Sequence, residues 1–248
     1  MKRTVPIGIL TLIVVYFLAC KQAPRREPLV DEAQDLKKTI KEQIAAKKEL
    51  EQVKIELSQS HLSESIARYK PIIKKYSKRY GIDWRLITAQ IVQESGFRIQ
   101  ARSRVGAHGL MQIMPGTAKE ISRELNIEYI MKNPRENITA GIYHLHKQMR
   151  YFPDADHDER TKLALASYNC GVGRIFDAQD IARYYQRPHN YWVSVRPYLS
   201  MLKASDWQLH LQVWPQGRPL YGYFYGYNET INYVDNIWAR YQAYIKLM

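Results

Sequence analysis

Residues 84–100 read WRLITAQIVQESGFRIQ, and they put an acid where an amphipathic helix asks for an apolar side chain. Ile87, Ile91 and Glu94 stand at i, i+4 and i+7, so all three share one face of a helix. Asp83 is placed to cap the start of that helix. Gly96 is placed to end it within two residues of the acid. Two neighbouring influences then disfavour the charge of Glu94. Apolar surroundings raise a carboxyl pKa, and the C-terminal end of a helix carries the negative end of its dipole. Both favour a carboxylic acid that keeps its proton near neutral pH, the state a general acid needs. A carboxyl pKa raised to about 6 is a known setting for acid catalysis on glycosidic bonds. The competing reading is a rim glutamate paired with Arg98 or Arg102.

The helical pattern extends in both directions from this stretch. Ile66, Tyr69, Ile73, Tyr76 and Tyr80 mark an amphipathic helix that contains Pro71 and is stopped by Gly81. A helix is expected near Pro115, where Thr117 and Glu120 have capping-box spacing. Asn133-Pro134 opens another, with the stripe Ile138, Ile142, Leu145 and Met149. ERTKLALASYN, residues 159–169, is a further apolar helix that ends at Gly171. Residues 190–248 add more helix and a tyrosine-rich turn, PLYGYFYGYNET. Alternating strand patterns are nearly absent, so the expected fold class is all-α, with one globular domain over residues 61–248.

Upstream, residues 31–60 are rich in Glu, Lys, Gln and Ala and contain no Gly or Pro. Leu36, Ile40 and Ile44 form one thin stripe, and Leu50, Val53 and Leu57 another. Such narrow stripes read as a solvated spacer helix. With the proline-bearing KQAPRREPLV before it, the expectation for residues 21–60 is a tether and charged helical stalk. Residues 1–20, MKRTVPIGILTLIVVYFLAC, have a basic start, an apolar stretch and a small residue before Cys20, the layout of a secretion signal. FLAC resembles a lipobox, which makes Cys20 the expected site of lipidation. Lys21 follows, with no aspartate there, and by resemblance to lipoprotein sorting signals this points to the outer membrane. The expected location is therefore the cell envelope, lipid-anchored and facing the periplasm.

The chain of 248 residues carries a formal net charge of +13 and 19 Tyr against 5 Phe. A basic surface suits a polyanion such as nucleic acid, anionic lipid or a carboxylate-bearing cell wall. There is no zinc-finger spacing, no RRM signature and no long basic run, so nucleic acid is not expected as a partner. Tyrosine pairs a flat apolar ring with a polar tip, which suits a wet groove for sugars or peptides. Two cysteines, Cys20 and Cys170, are too few for a disulfide framework. Cys170 reads as a buried free thiol. No metal-ligand cluster stands out.

ESGFRIQARSRVGAHGLMQIMPGTA, residues 94–118, resembles the catalytic signature of the soluble-lytic-transglycosylase type of lytic transglycosylase, family 23 of the glycoside hydrolases. Glu94-Ser95 fits the motif that holds the catalytic glutamate. Ser103 fits a loop serine that contacts substrate near that acid, and Gly109-Leu110-Met111-Gln112 fits GLMQ. Asn133-Pro134 with Asn137-Ile138 fits the start of the intervening helix. Ala166-Ser167-Tyr168-Asn169 fits AxYN, and Glu229-Thr230 with Tyr233-Val234 fits ETxxYV. Each motif alone is weak, but they occur in the family's order. The C-terminal stretch is most similar to a membrane-bound branch of the family, whose members carry an amino-acid-binding-protein-like domain before the module.

The resemblance implies a lysozyme-like helical domain that acts on peptidoglycan glycan strands without a cofactor. It implies Glu94 as the single catalytic residue, acid first and base second. Ser95, Ser103, Met111, Gln112, Tyr168, Asn169 and Tyr233 are the candidate substrate-binding residues. Ser103 and Gln112 would orient acetamido and hydroxyl groups, Tyr168 and Tyr233 would flank the acid, and Asn169 would order the loop. The implied membrane partner is reached through the lipid anchor, and the stalk is a candidate docking element for cell-wall complex partners. Between Ser95 and Lys119 there is no acidic residue, in keeping with a one-glutamate reaction. Two alternatives stay open on the sequence: a hydrolytic muramidase of goose-lysozyme type, and a catalytically dead peptidoglycan-binding scaffold.

Overall fold

A computed structural model describes the backbone of residues 29–248 and side chains from residue 37 onward. The expected signal, with Cys20, and the first part of the tether lie outside the described residues. Helix α1 runs over Leu29–Ser58. The chain divides into a unit ending at Lys48 and a compact unit over Glu49–Met248. In the first unit every described side chain of α1 is exposed, Ile40 and Ile44 included, as its thin stripe leads one to expect. In the second, Val53 is only 4% exposed, with Leu50 and Leu57 packed beside it on the core. Arg240 also donates from Nε to Glu56 at 3.4 Å. The compact unit therefore begins at Glu49 and not at residue 61. The Leu50–Val53–Leu57 stripe is part of the core, not of a solvated spacer.

The rest of the compact unit is helical. It comprises α2 (Ser60–Tyr80), α3 (Trp84–Ser95), α4 (Pro115–Leu125), α5 (Pro134–Met149), α6 (His157–Cys170) and α7 (Val172–Tyr184). After these come a short α8 (Trp192–Val195), two 3-10 turns (Arg196–Met201 and Ala204–Asp206), α9 (Trp207–Val213) and α10 (Tyr227–Leu247). Among the described residues the only β-type pairings are isolated bridges, Arg102 with His108 and His108 with Ile113. The all-α expectation holds. Among the described residues no helix is long and apolar enough to cross a membrane.

Helix α3 is built as its sequence predicts. The Asp83 carboxylate accepts from the Arg85 N–H at 2.8 Å, and Ile87 and Ile91 are fully buried. Gly96 closes the helix at φ 57°, its N–H donating to the Val92 carbonyl at 2.9 Å. A left-handed residue at this point is why glycine follows the acid so closely. Helix α5 also starts as expected, with the Asn133 side chain accepting from Arg135 N–H and Glu136 N–H and Pro134 in the first position. Helix α4 departs from expectation. Its cap is Met114, without a side-chain bond, and Pro115 takes the first helical position, so Thr117 is already inside the helix. Proline's fixed φ sets that start, and Glu120 pairs with Lys147 instead of closing a capping box.

Packing then brings distant segments together. Helix α10 lies against α3 and α6, α2 against α3 and α5, and α6 against α5 and α7. The core runs from Val53 through Ile87, Ile138 and Leu163 to Val234 and Tyr244. Residues 96–114 cross this bundle as an irregular loop between α3 and α4.

Candidate active site

Glu94, on the last turn of α3, opens onto a groove of about 640 Å³. Gln93 and Glu94 of α3, Tyr168 and Asn169 of α6, and Glu229, Asn232 and Tyr233 of α10 form its helical side. Ser103, Val105, Ala107, Gln112 and Met114 form the loop side. Glu94 keeps an opening onto the groove, yet its carboxyl is packed round by protein. Burial is the largest influence on it and pushes its pKa up to about 8, the exposed Glu229 carboxylate adding to the rise. The Tyr233 hydroxyl opposes both by donating to Glu94 Oε1 at 2.5 Å. The rim-pairing alternative is not realised with Arg98, whose Nε donates to the Ser95 carbonyl at 2.9 Å.

The remaining motif residues divide by what they touch. Ser95 is 2% exposed, and its hydroxyl donates to the Leu110 carbonyl at 2.9 Å. Met111 is fully buried on Gly141, where a Cβ would meet the Met111 side chain at 2.5 Å. Neither side chain reaches the groove, so the expected substrate contact by Ser95 and Met111 gives way to a holding role. Both are interior because the loop folds back across the end of α3. Asn137, on α5, clamps the same loop from below. Its Oδ1 accepts from the Met111 N–H at 2.8 Å, and its Nδ2 donates to the carbonyls of His108 at 3.0 Å and Ile130 at 3.1 Å. Gly109 is required there, since a Cβ would stand 2.6 Å from the Asn137 amide.

The sequence that builds this arrangement has named relatives. Residues 71–191 match the model described as the transglycosylase SLT domain. The chain carries a transglycosylase SLT domain. A membrane-bound lytic murein transglycosylase F from Desulfosudis oleivorans is 36% identical over 178 residues, which are 71% of this chain and 36% of the relative. One from Vibrio parahaemolyticus is 32% identical over 185 residues, 74% of this chain and 32% of the relative. The chain thus spans about a third of the length of these relatives. The 70 kDa soluble lytic transglycosylase from Escherichia coli aligns over 73% of this chain and 24% of its own, with 26% identity and a TM-score of 0.47.

Ser103, Gln112, Tyr168 and Asn169 of the SLT domain, and Tyr233 beyond it, all reach the groove with Glu94. Ser103 Oγ accepts from the Ala107 N–H at 2.9 Å and tightens its turn. Gln112 sits at φ 45° and donates from Nε2 to the carbonyls of Gly109 and Ala101 at 2.8 and 3.1 Å. The Tyr168 hydroxyl donates to the Met111 carbonyl at 2.8 Å, so its proton serves the loop while its ring stands near the acid. Asn169 Oδ1 accepts from the Thr230 hydroxyl at 2.7 Å and joins α6 to α10.

Sequence reasoning passed over Gln93, Val105, Ala107, Met114 and Asn232, which line the groove without a distinguishing pattern; Glu229, of the ETxxYV motif, lines it too. Gln90 was passed over as well. That residue is fully buried beside the acid and donates from Nε2 to Tyr233 Oη at 3.0 Å. A signal was present: Gln90 and Glu94 stand at i and i+4 on one helix face. Cys170 is half-buried, and burial pushes its thiol up to about 12, so it is unreactive as a thiolate at neutral pH.

Proposed function

We propose that the protein is a peptidoglycan lytic transglycosylase that cleaves the MurNAc–GlcNAc β-1,4 bond and leaves a 1,6-anhydroMurNAc end. The observation that carries the reading is Glu94, held as a neutral acid by burial at the wall of an open groove. Its proton goes to the oxygen linking the two sugars as the C1–O bond breaks. The 2-acetamido oxygen of MurNAc bonds to C1 from the other face, so the substrate supplies the nucleophile. Glu94, now a carboxylate, takes the proton of the 6-hydroxyl of the same sugar. That oxygen displaces the acetamido group from C1 and closes the anhydro ring, with no water consumed. Held geometry makes the closure effectively intramolecular.

The Tyr233 hydroxyl, aimed at Glu94 Oε1, stabilises the carboxylate between the two proton transfers. Ser103 and Gln112 line the same groove as the acid and are assigned the acetamido and hydroxyl groups of the glycan. Lipidation of Cys20, an outer-membrane anchor and a periplasmic position complete the reading and rest on the sequence of residues 1–21. The names of the relatives as membrane-bound murein enzymes support membrane association.

Glu229 favours one second reading. It lines the same groove and acts electrostatically on Glu94, so it is available as the second carboxylate of a hydrolytic muramidase. Digestion of purified peptidoglycan in ¹⁸O-water separates the two. We expect 1,6-anhydromuropeptides without solvent oxygen by mass spectrometry. Reducing ends carrying ¹⁸O would overturn the transglycosylase reading, and an absence of products would leave a binding scaffold.

A further inference from the structure

We infer that Gln90 is a positioning residue that sets the direction of the Tyr233 hydroxyl proton and thereby the proton affinity of Glu94. The inference rests on the reading of Glu94 as the acid and deepens it. Gln90 is fully buried in α3, one turn before Glu94. An amide in such a place is costly unless it is hydrogen-bonded. Its Nε2 donates to Tyr233 Oη at 3.0 Å, while its Oε1 has no partner among the described residues. Packing of Leu, Met or Ile at this position would leave no such orphan. The one polar contact that Gln90 makes is therefore the feature to be explained.

A phenol has one proton. With Gln90 donating into its oxygen, that proton points away from the amide and toward Glu94 Oε1, 2.5 Å distant. The result is a one-way chain, Nε2–H to Oη–H to Oε1, in which each donor polarises the next. The Gln90 bond also eases ionisation of the Tyr233 hydroxyl, which makes it a stronger donor, although burial keeps that hydroxyl neutral. Such a chain favours the carboxylate and opposes the desolvation that favours the acid. The groups facing Glu94 are Tyr233 and Glu229 from α10 and Tyr168 from α6. Tyr168 has its proton committed to the Met111 carbonyl, and Glu229 acts against the charged form of Glu94. Tyr233 is thus the neighbour whose proton serves Glu94, and Gln90 is what aims it. For a group that is acid first and base second, this sets the balance between the two steps.

The test compares wild type, Gln90→Met, Tyr233→Phe and the double variant, each checked for folding by circular dichroism. Two readouts are used: the pH dependence of peptidoglycan cleavage, and a ¹³C NMR titration of the Glu94 carboxyl assigned by its disappearance in Glu94→Gln. Gln90→Met is expected to move the basic limb and the NMR midpoint upward by about half a pH unit, with a several-fold lower kcat and an unchanged KM. Tyr233→Phe should move both further, and Gln90→Met should add nothing in its background. A midpoint unmoved by Gln90→Met would overturn the inference and reduce Gln90 to packing. A downward shift would overturn it too, since it would mean that the amide presents its carbonyl to Tyr233. The NMR titration needs no turnover. An inactive wild type with an intact relay would therefore count against the proposed function alone.

Discussion

The two sides of the groove are built on different principles. On the helical side, functional groups are one turn apart on rigid helices: Gln90 and Glu94 on α3, Glu229 and Tyr233 on α10. On the loop side, residues 96–114 follow no period. Their positions come from backbone pairings such as Ser103 with Ala107 and His108 with Ile113, and from clamps supplied by α5 and α6. On the proposed function the helical side carries the proton chemistry, where a small misplacement costs most, and the loop side offers polar contacts to the glycan. The difference implies that the loop depends on clamps from other elements, Asn137 of α5 and Tyr168 of α6, whereas the helical side depends on helix spacing and on the packing of α10 against α3.

The largest effect is expected at the acid. Glu94→Gln should keep the fold and lower peptidoglycan turnover by about 10²–10⁴-fold, measured as product release. The same variant should be the more stable protein at alkaline pH. Glu94 has a folded pKa of about 8 against an ordinary 4.5. Below the ordinary value both folded and unfolded chains hold the proton, and the site costs nothing. Between the two values only the folded chain holds it, so stability falls as pH rises, and above about 8 the whole cost is present. Thermal melts at pH 9 and pH 4 should therefore show Glu94→Gln stabilised by roughly 5 kcal/mol at the higher pH and by little at the lower. Wild-type kcat/KM should decline above about pH 8 as the acid loses its proton.

Asn137→Leu tests the loop side. It removes three hydrogen bonds to the loop and its neighbour. A loss of about 3 kcal/mol in chemical denaturation is expected, with faster proteolysis within residues 96–114. A loop that kept its protease resistance would break the comparison, because it would be rigid without its clamp. Tyr168→Phe deletes one clamp only, on the Met111 carbonyl. A loss of about 1 kcal/mol is expected, together with a rise in KM. Ser103→Ala is the mildest, since the Ala107 N–H it leaves sits in a turn with its own backbone bond. A stability change of about 0.5 kcal/mol and a several-fold loss of kcat/KM would sharpen the comparison by separating contact from support.

Local rules made much of this legible. The face shared by Ile87, Ile91 and Glu94, the Asp83 and Asn133 caps and the stops at Gly81, Gly96 and Gly171 are contacts over a few residues, and all were written in the spacing. The motif resemblance located the groove residues of the SLT domain. It did not distinguish Ser95 and Met111, which hold the loop, from Ser103 and Gln112, which line the groove. All four lie in the same motif block, and their roles depend on which way an aperiodic loop turns. Thr117 missed its place because a proline two residues earlier had already fixed the helix start.

The sequence by itself determined the helices, their ends and an acid on an apolar face, because these follow from periodicity and backbone preference within one or two turns. Only the tertiary structure decided what surrounds that acid. Tyr233 lies 139 residues from Glu94 along the chain, and Asn137 lies 29 from His108. No local rule carries information over such separations. The packing of α10 on α3 and of α5 beneath the loop supplies it. That packing is set by the burial of side chains such as Ile138, Val234 and Ile237, which touch no substrate.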